Sequence, residues 1–460
     1  MGDKASTDKD EPIVTHHEVQ IGGKRLKYTA TAGLMPLRDA KGETEARIFF
    51  IAYTRDDVGD RARRPLMFSF NGGPGSSSVW LHLGALGPKR VVMPDEPVIP
   101  APPYRLVENG ESWLDRTDLV FIDPVDTGYS RAVKPEQSKK YHGLQGDLES
   151  VGEFIRMYLT RYERWTSPLY LVGESYGTTR AAGLAGRLAD EGIAFNGIVL
   201  VSSALDFQTF LYGRVNEVPY VVYLPSYTAT AWYHRKLPAD LQRAELRQVL
   251  TEVERWAEDE YRTALGKGDR LSADERKEVI RRLARYTGLS ERFIDQNDLR
   301  ISLPLFSKEL LRDERRTVGR LDSRYKGIDE HPGTSSPEFD PSMAAIRPAY
   351  TATFNQYIRT ELGYKSDVPY HILGSNAGVG SWDWGPSGRG YPETAGALRE
   401  ALAKNPHMKV LVASGYYDLA TPYAGTDYTL AHLKLDPTLR QNIRGETYEA
   451  GHMMYIHGPS

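Results

Sequence analysis

The 460-residue chain has no cysteine, so disulfide bonds, thiolate nucleophiles and sulfur-held metals are excluded. It has no strong excess of either charge. With 58 Lys and Arg against 61 Asp and Glu the net charge is −3, and nothing calls for nucleic acid or an anionic membrane as partner. No apolar run reaches the roughly 18 residues of a membrane span. The opening, MGDKASTDKDEP, lacks the apolar centre of a secretory signal. Such a start suits a cytoplasmic protein or a mature form with its signal removed; the sequence does not decide, and the second, extracytoplasmic reading is slightly favoured. Metal-ligand spacings such as H-E-x-x-H are missing and His16-His17 is an isolated pair, so neither a metal nor another cofactor is expected.

What is present is enough for a large core: 40% of the residues are hydrophobic, over a length that suggests one large domain with an insertion or two domains. Residues 1–12 read as a disordered lead-in. From Val14 to Thr54, segments such as KRLKYTATA and ARIFFIAYT carry the β-branched and aromatic residues of strands. Five short apolar runs follow: RPLMFSF, DLVFIDP, LYLVG, GIVLVSS and, much later, MKVLVASG. Runs of this kind suit strands buried on both faces of a mainly parallel sheet. Between them Leu144, Leu148, Val151, Ile155 and Tyr158 recur at helical steps, and Tyr176 to Leu188 is rich in Ala and Leu. Strand alternating with helix predicts an open α/β sheet formed by residues 13–206 and 343–460. The charged stretch 207–342 breaks the rhythm. Leu246, Val249, Leu250, Val253, Ala257 and Tyr261 there share one helical face, which predicts a helical cap over the sheet, with the sheet pattern resuming near Pro369.

Gly173-Glu174-Ser175-Tyr176-Gly177 fits G-x-S-x-G between an expected strand and an expected helix, the context in which the motif carries chemistry. Small residues on both sides let the neighbouring chain approach a sharp turn that lifts the Ser175 hydroxyl clear. At a helix N-terminus, backbone amides can then stabilise an oxyanion. The bland alternative is a Gly/Ser-rich turn without chemistry. A serine nucleophile needs a base and an orienting acid, in the chain order Ser, acid, His. Asp418 lies just beyond MKVLVASG, and His452 lies just beyond GETYEAG. Asp383 in SWDWG is the weaker acid and His457 the weaker base, since no strand leads to either. FNGGPGSSS, Phe70 to Ser78, leaves backbone amides unobstructed after a strand, which suits one side of an oxyanion hole.

These residues resemble the serine carboxypeptidases of the α/β-hydrolase fold. The resemblance rests on NGGPGSSS with Gly87-Pro88, NGESW, DLVFIDPVDTGYS, GESYG and AGHM, in that order from about Phe68 onward, and the wording is similar to the bacterial branch. It implies Ser175 as nucleophile, His452 as general base and acid, and Asp418 as orienting acid. It also implies the amides of Gly73 and Tyr176 as the oxyanion hole. Asn71 and a protonated Glu174 would bind the C-terminal carboxylate of a peptide.

The chain departs from the family where that carboxylate should bind. Ala85 stands where a second glutamate is expected, two residues before Gly87-Pro88, and Ser69 replaces an aromatic. Without a second carboxylate, Glu174 has less reason to stay protonated, so a pH optimum nearer neutral is expected. Lys89 and Arg90 are candidate compensating cations, or a solvated charge pair. Only eight residues follow His452, where related chains continue into a closing helix, so either the chain is truncated or the fold closes differently. The expected activity is release of C-terminal residues from peptides. An esterase, amidase or acyltransferase acting on a small ester or amide through the same triad is the alternative, and a non-catalytic binding protein on this fold is the remote one.

Overall fold

The structure, a computed structural model, describes residues 11–374, 382–385 and 391–457. Its frame is a ten-stranded sheet, nine strands on one path and a two-residue strand, Arg131–Ala132, paired with Ala46 and Arg47 off it. Three N-terminal strands, β1 (Ile13–Ile21), β2 (Lys24–Arg38) and β3 (Thr44–Arg55), pair antiparallel. Gly22 and Gly23 turn the first hairpin at φ 54° and 78°, a left-handed conformation that glycine adopts without strain. The apolar runs then supply β4 (Leu66–Phe70), β5 (Asp118–Ile122), β6 (Leu169–Glu174), β7 (Gly197–Val201) and β8 (Lys409–Gly415). The last strand is β9 (Ile443–Tyr448).

The spatial order is β1-β2-β3-β5-β4-β6-β7-β8-β9. From β5 to β9 every pairing is parallel. Every residue of β4 and β5 is buried, which is why both read as unbroken apolar runs rather than as alternation.

Helices cover both faces. In chain order the principal ones are α1 (Leu144–Arg161), α2 (Tyr176–Asp190), α3 (Val218–Tyr233), α4 (Leu246–Trp256), α5 (Ala273–Thr287), α6 (Pro341–Thr360) and α7 (Ala395–Lys404). On one face α1, α2 and α7 bury Val151, Ile155, Leu184 and Leu398 against Phe68 and Ile122. On the other, α6 buries Ile346, Tyr350 and Phe354 against Phe49, Leu119 and Phe121. The chain therefore has the α/β-hydrolase architecture, helix layers on both sides of a mainly parallel sheet.

The helices α3 to α5 build a separate apolar cluster around Val221, Tyr227, Val253, Leu283 and Phe306. Their local signals agree with their ends. Ser272 and Glu275 form a reciprocal capping box at the start of α5, and Gly288 ends it in the left-handed conformation. The face through Leu246, Val249, Leu250, Val253, Ala257 and Tyr261 is buried throughout. Leu419, next to a predicted catalytic residue, is buried in the α3–α5 cluster as well.

One expectation fails. The sheet does not resume near Pro369: among the described residues its next strand is β8, at Lys409. What lies near Pro369 forms only isolated bridges, Gly128 with His371 and Ser76 with Leu373, because the short run there is used to tie down the glycine-rich loop. No helix among the described residues is long and apolar enough to cross a membrane.

Candidate active site

Strand β6 ends at Glu174 and α2 begins at Tyr176, so Ser175 alone makes the turn, at φ 59° and ψ −129°. A non-glycine residue held in that region is strained and is retained only where its surroundings dictate it. The surroundings are tight. A Cβ on Gly173 would lie 2.1 Å from the Gly177 carbonyl oxygen, and one on Gly72 only 2.4 Å from the Tyr176 nitrogen. The glycines on both sides of Ser175 therefore let two loops and a helix end meet at one point. The Ser175 amide is anchored to the Val201 carbonyl at 2.9 Å.

Asp418 and His452 come together from the loops after β8 and β9. His452 Nδ1 donates to Asp418 Oδ2 at 2.7 Å. Asp418 is itself fixed: its Oδ1 accepts from the amides of Ala420 and Thr421 at 2.7 and 3.0 Å, and its Oδ2 from Thr421 Oγ1 at 2.8 Å. Burial works against a charged His452 ring, but the Asp418 carboxylate outweighs it and the histidine pKa lies above its usual 6.5. With Nδ1 committed to Asp418, the other nitrogen, Nε2, carries the free lone pair. It faces Glu174 Oε1 at 3.8 Å. Among the described residues no hydrogen bond yet joins it to Ser175 Oγ, and such bonds are commonly loose in unliganded sites.

The glycine-rich loop lies opposite. Among the described residues the amides of Gly73 and Tyr176 donate to no protein acceptor, which leaves both available at the serine. A buried network sets their position. Arg180 donates to the Asn71 carbonyl at 2.7 Å and pairs with Asp147 at 2.8 Å, and the Tyr176 hydroxyl donates to the same carboxylate at 3.1 Å. A cleft of about 990 Å³ opens above, with Gly73, Ser175, Tyr176, Phe207, Arg320 and Trp384 in its wall.

Asn71 and Glu174 are adjacent but do not line this cleft. They are only 1% and 4% exposed. Glu174 Oε2 accepts from Asn71 Nδ2 at 2.7 Å and from the Tyr455 hydroxyl, so the pair is satisfied internally. Asn71 Oδ1 is taken by the Leu81 amide at 3.1 Å. Both residues thus sit in a buried hydrogen-bonded group beside the Ser175 turn, with Tyr455 as its third member. The expectation that Glu174 loses its proton more readily is corrected. Burial raises its pKa to about 7, while His452, Tyr455 and Asn71 pull the other way.

The remaining candidates fall elsewhere. Lys89 pairs with Glu361 at 3.0 Å, and Arg90 donates to the Tyr455 carbonyl at 2.7 Å, so neither cation is spent on Glu174. Asp383 accepts from the Gly385 amide at 2.8 Å and lies in the cleft wall, away from His452. His457 faces Asp322 at 3.5 Å. Tyr455 and Arg320 are the residues that sequence reasoning missed. Tyr455 follows His452 by three positions, a proximity that could have drawn attention; Arg320 carries no motif. No group of three or more His, Asp or Glu residues among those described is arranged to hold a metal ion.

Against known proteins, the profile of the serine carboxypeptidase family matches residues 23–292. The pheromone-processing carboxypeptidase KEX1 of Saccharomyces cerevisiae is 33% identical over 156 residues, 32% of this chain and 20% of that protein. The aligned stretch thus spans about a fifth of that relative's length. Serine carboxypeptidase-like 45 of Arabidopsis thaliana is 21% identical over 407 residues, 78% of this chain and 82% of that protein. The crystal structure of the yeast prohormone-processing carboxypeptidase superposes with a TM-score of 0.59 at 18% identity, covering 94% of this chain and 88% of that one, which is a likeness of fold. These relatives are eukaryotic and give no support to the bacterial branch. A profile match over more than half the chain is decisive: this chain belongs to the serine carboxypeptidase family.

Proposed function

We propose that the chain is a serine-type carboxypeptidase that releases C-terminal residues from peptides through an acyl-enzyme. One observation supports this most: the His452–Asp418 hydrogen bond reaches Glu174, the residue before the strained Ser175 turn, and Ser175 lines a cleft with Gly73 and Tyr176, whose amides are free. In this reading His452 Nε2 takes the Ser175 proton as Oγ attacks the peptide carbonyl. The developing oxyanion sits between the amides of Gly73 and Tyr176. The tetrahedral intermediate then breaks the C–N bond, and His452 returns the proton to the leaving amine, which departs as the free C-terminal residue. Water, deprotonated by the same imidazole, hydrolyses the ester to Ser175. Asp418 holds the ring in the tautomer that leaves Nε2 unprotonated. Asn71 and Glu174 act here as a buried floor that keeps the glycine loop and the turn together. Residues 207–342 serve as the cap, bringing Phe207, Phe210 and Arg320 to the cleft.

Digestion of a mixed peptide library, followed by mass spectrometry across pH, tests the reading. Successive losses from C-termini are expected, and Ser175→Ala should remove them. Internal cleavage, or losses that persist in the variant, would contradict it. An esterase or amidase is the second reading, favoured by Ala85 standing where the family has a second glutamate. A blocked peptide compared with its C-terminal amide and ester separates the two.

A further inference from the structure

We propose that Arg320 is the group that selects the substrate, by pairing with a carboxylate on it. This rests on the hydrolase reading above. Arg320 lines the same cleft as Ser175, Tyr176 and Thr421. Its charge opposes protonation of the buried His452, and the residue after it, Leu321, accepts a hydrogen bond from the His452 amide. Among the described residues its side chain makes no hydrogen bond and no ion pair. Arg312, Arg324 and Arg300, by contrast, are paired with Glu309, Asp322 and Glu217. A guanidinium left without a carboxylate in a cleft, five donors in a planar fork, is suited to a planar anion brought by a ligand.

The backbone around Arg320 is built to hold it there. The Leu419 amide donates to the Arg320 carbonyl at 3.1 Å, and the His452 amide donates to the Leu321 carbonyl at 2.6 Å. The two loops that carry Asp418 and His452 thus each grip the 319–325 turn, at the successive carbonyls of Arg320 and Leu321. Gly451 exists for that grip: a Cβ there would lie 2.4 Å from the Asp322 Cβ and 2.6 Å from the Leu321 carbonyl oxygen. Of the other charged groups on the cleft, Lys140 is paired with Glu45, Glu149 lies near Arg187, and Glu393 accepts from the Gly396 amide. Lys139 is a second cation on the cleft without a partner among the described residues. Arg320 is thus an unpaired cation, among the described residues, on the cleft that Ser175 lines.

The carboxylate has two possible sources, the C-terminus of the peptide or an acidic side chain near the scissile bond. Titration calorimetry on Ser175→Ala protein, which binds without turnover, distinguishes them. One arm compares a blocked dipeptide acid with its C-terminal amide; the other compares a blocked dipeptide amide ending in Glu with the one ending in Gln. The acid should bind its neutral counterpart's site at least roughly tenfold more tightly in one arm, the arm identifying the source. The ratio should fall to near one in Ser175→Ala/Arg320→Ala and in Ser175→Ala/Arg320→Gln, and recover in part with Arg320→Lys. Equal affinity for acid and neutral ligands in both arms, or a preference that survives loss of Arg320, would overturn the assignment. A wild-type protein that releases no C-terminal residue would instead defeat the carboxypeptidase reading and leave this ratio readable.

Discussion

Replacing Glu174 by glutamine tests how the buried floor of the site is charged. The carboxyl pKa is raised from 4.5 to about 7 by burial, net of the opposing pull of His452, Tyr455 and Asn71. The native state therefore holds this proton more tightly than the unfolded chain does. Its stabilising contribution is complete below about pH 4.5 and is lost as pH rises through about 7. At about 1.36 kcal/mol for each pH unit, the span corresponds to roughly 3 kcal/mol. Glutamine keeps the shape and an acceptor for Asn71 and Tyr455 but has nothing to titrate. Glu174→Gln should thus gain about 3 kcal/mol on the wild type between pH 4.5 and pH 8. Urea unfolding of both proteins across that range measures it. The comparison cancels the other buried carboxyls, Asp123 and Asp427, whose pKa values burial lifts to about 6. Stability curves that run parallel would show that Glu174 is not buried as described.

The same substitution should move the acid limb of kcat/KM. His452 must be neutral to act, and the Glu174 charge is one of the causes that hold its pKa up, so the limb shifts to lower pH in the variant. A wild-type profile peaking below about pH 5 would contradict this ordering. Arg180→Met leaves Asp147 buried without its partner and should cost about 3–5 kcal/mol, read by thermal or urea unfolding. Gly451→Ala forces the 319–325 turn away from His452 and should lower kcat more than it raises KM, with the fold retained by circular dichroism.

The parts of this molecule that were legible in its sequence are those made by neighbours in the chain. The runs RPLMFSF, DLVFIDP and LYLVG are strands because burial on both faces leaves no polar alternation. G-x-S-x-G is legible because a strained turn needs small residues at fixed steps. The helical face from Leu246 to Tyr261 is legible for a similar reason. What could not be read is made by residues distant in sequence. Tyr455 reaches Glu174 across 281 positions, and Arg180 reaches the Asn71 carbonyl across 109. Glu174 shows the consequence. Counting nearby carboxylates in the sequence predicted easier ionisation, but the folded chain encloses the group and desolvation decides. Pro369 shows another limit: a short apolar run near a proline reads as a strand, whereas here it ties the glycine-rich loop by single bridges.

The convergence of Ser175, His452 and Asp418 is tested most directly by covalent labelling with a fluorophosphonate, followed by intact-mass and peptide mapping. One adduct on Ser175 is expected, absent in Ser175→Ala and slowed at least a thousandfold in His452→Ala. Labelling that is absent from the folded wild type, or that proceeds equally well without His452, would contradict the account.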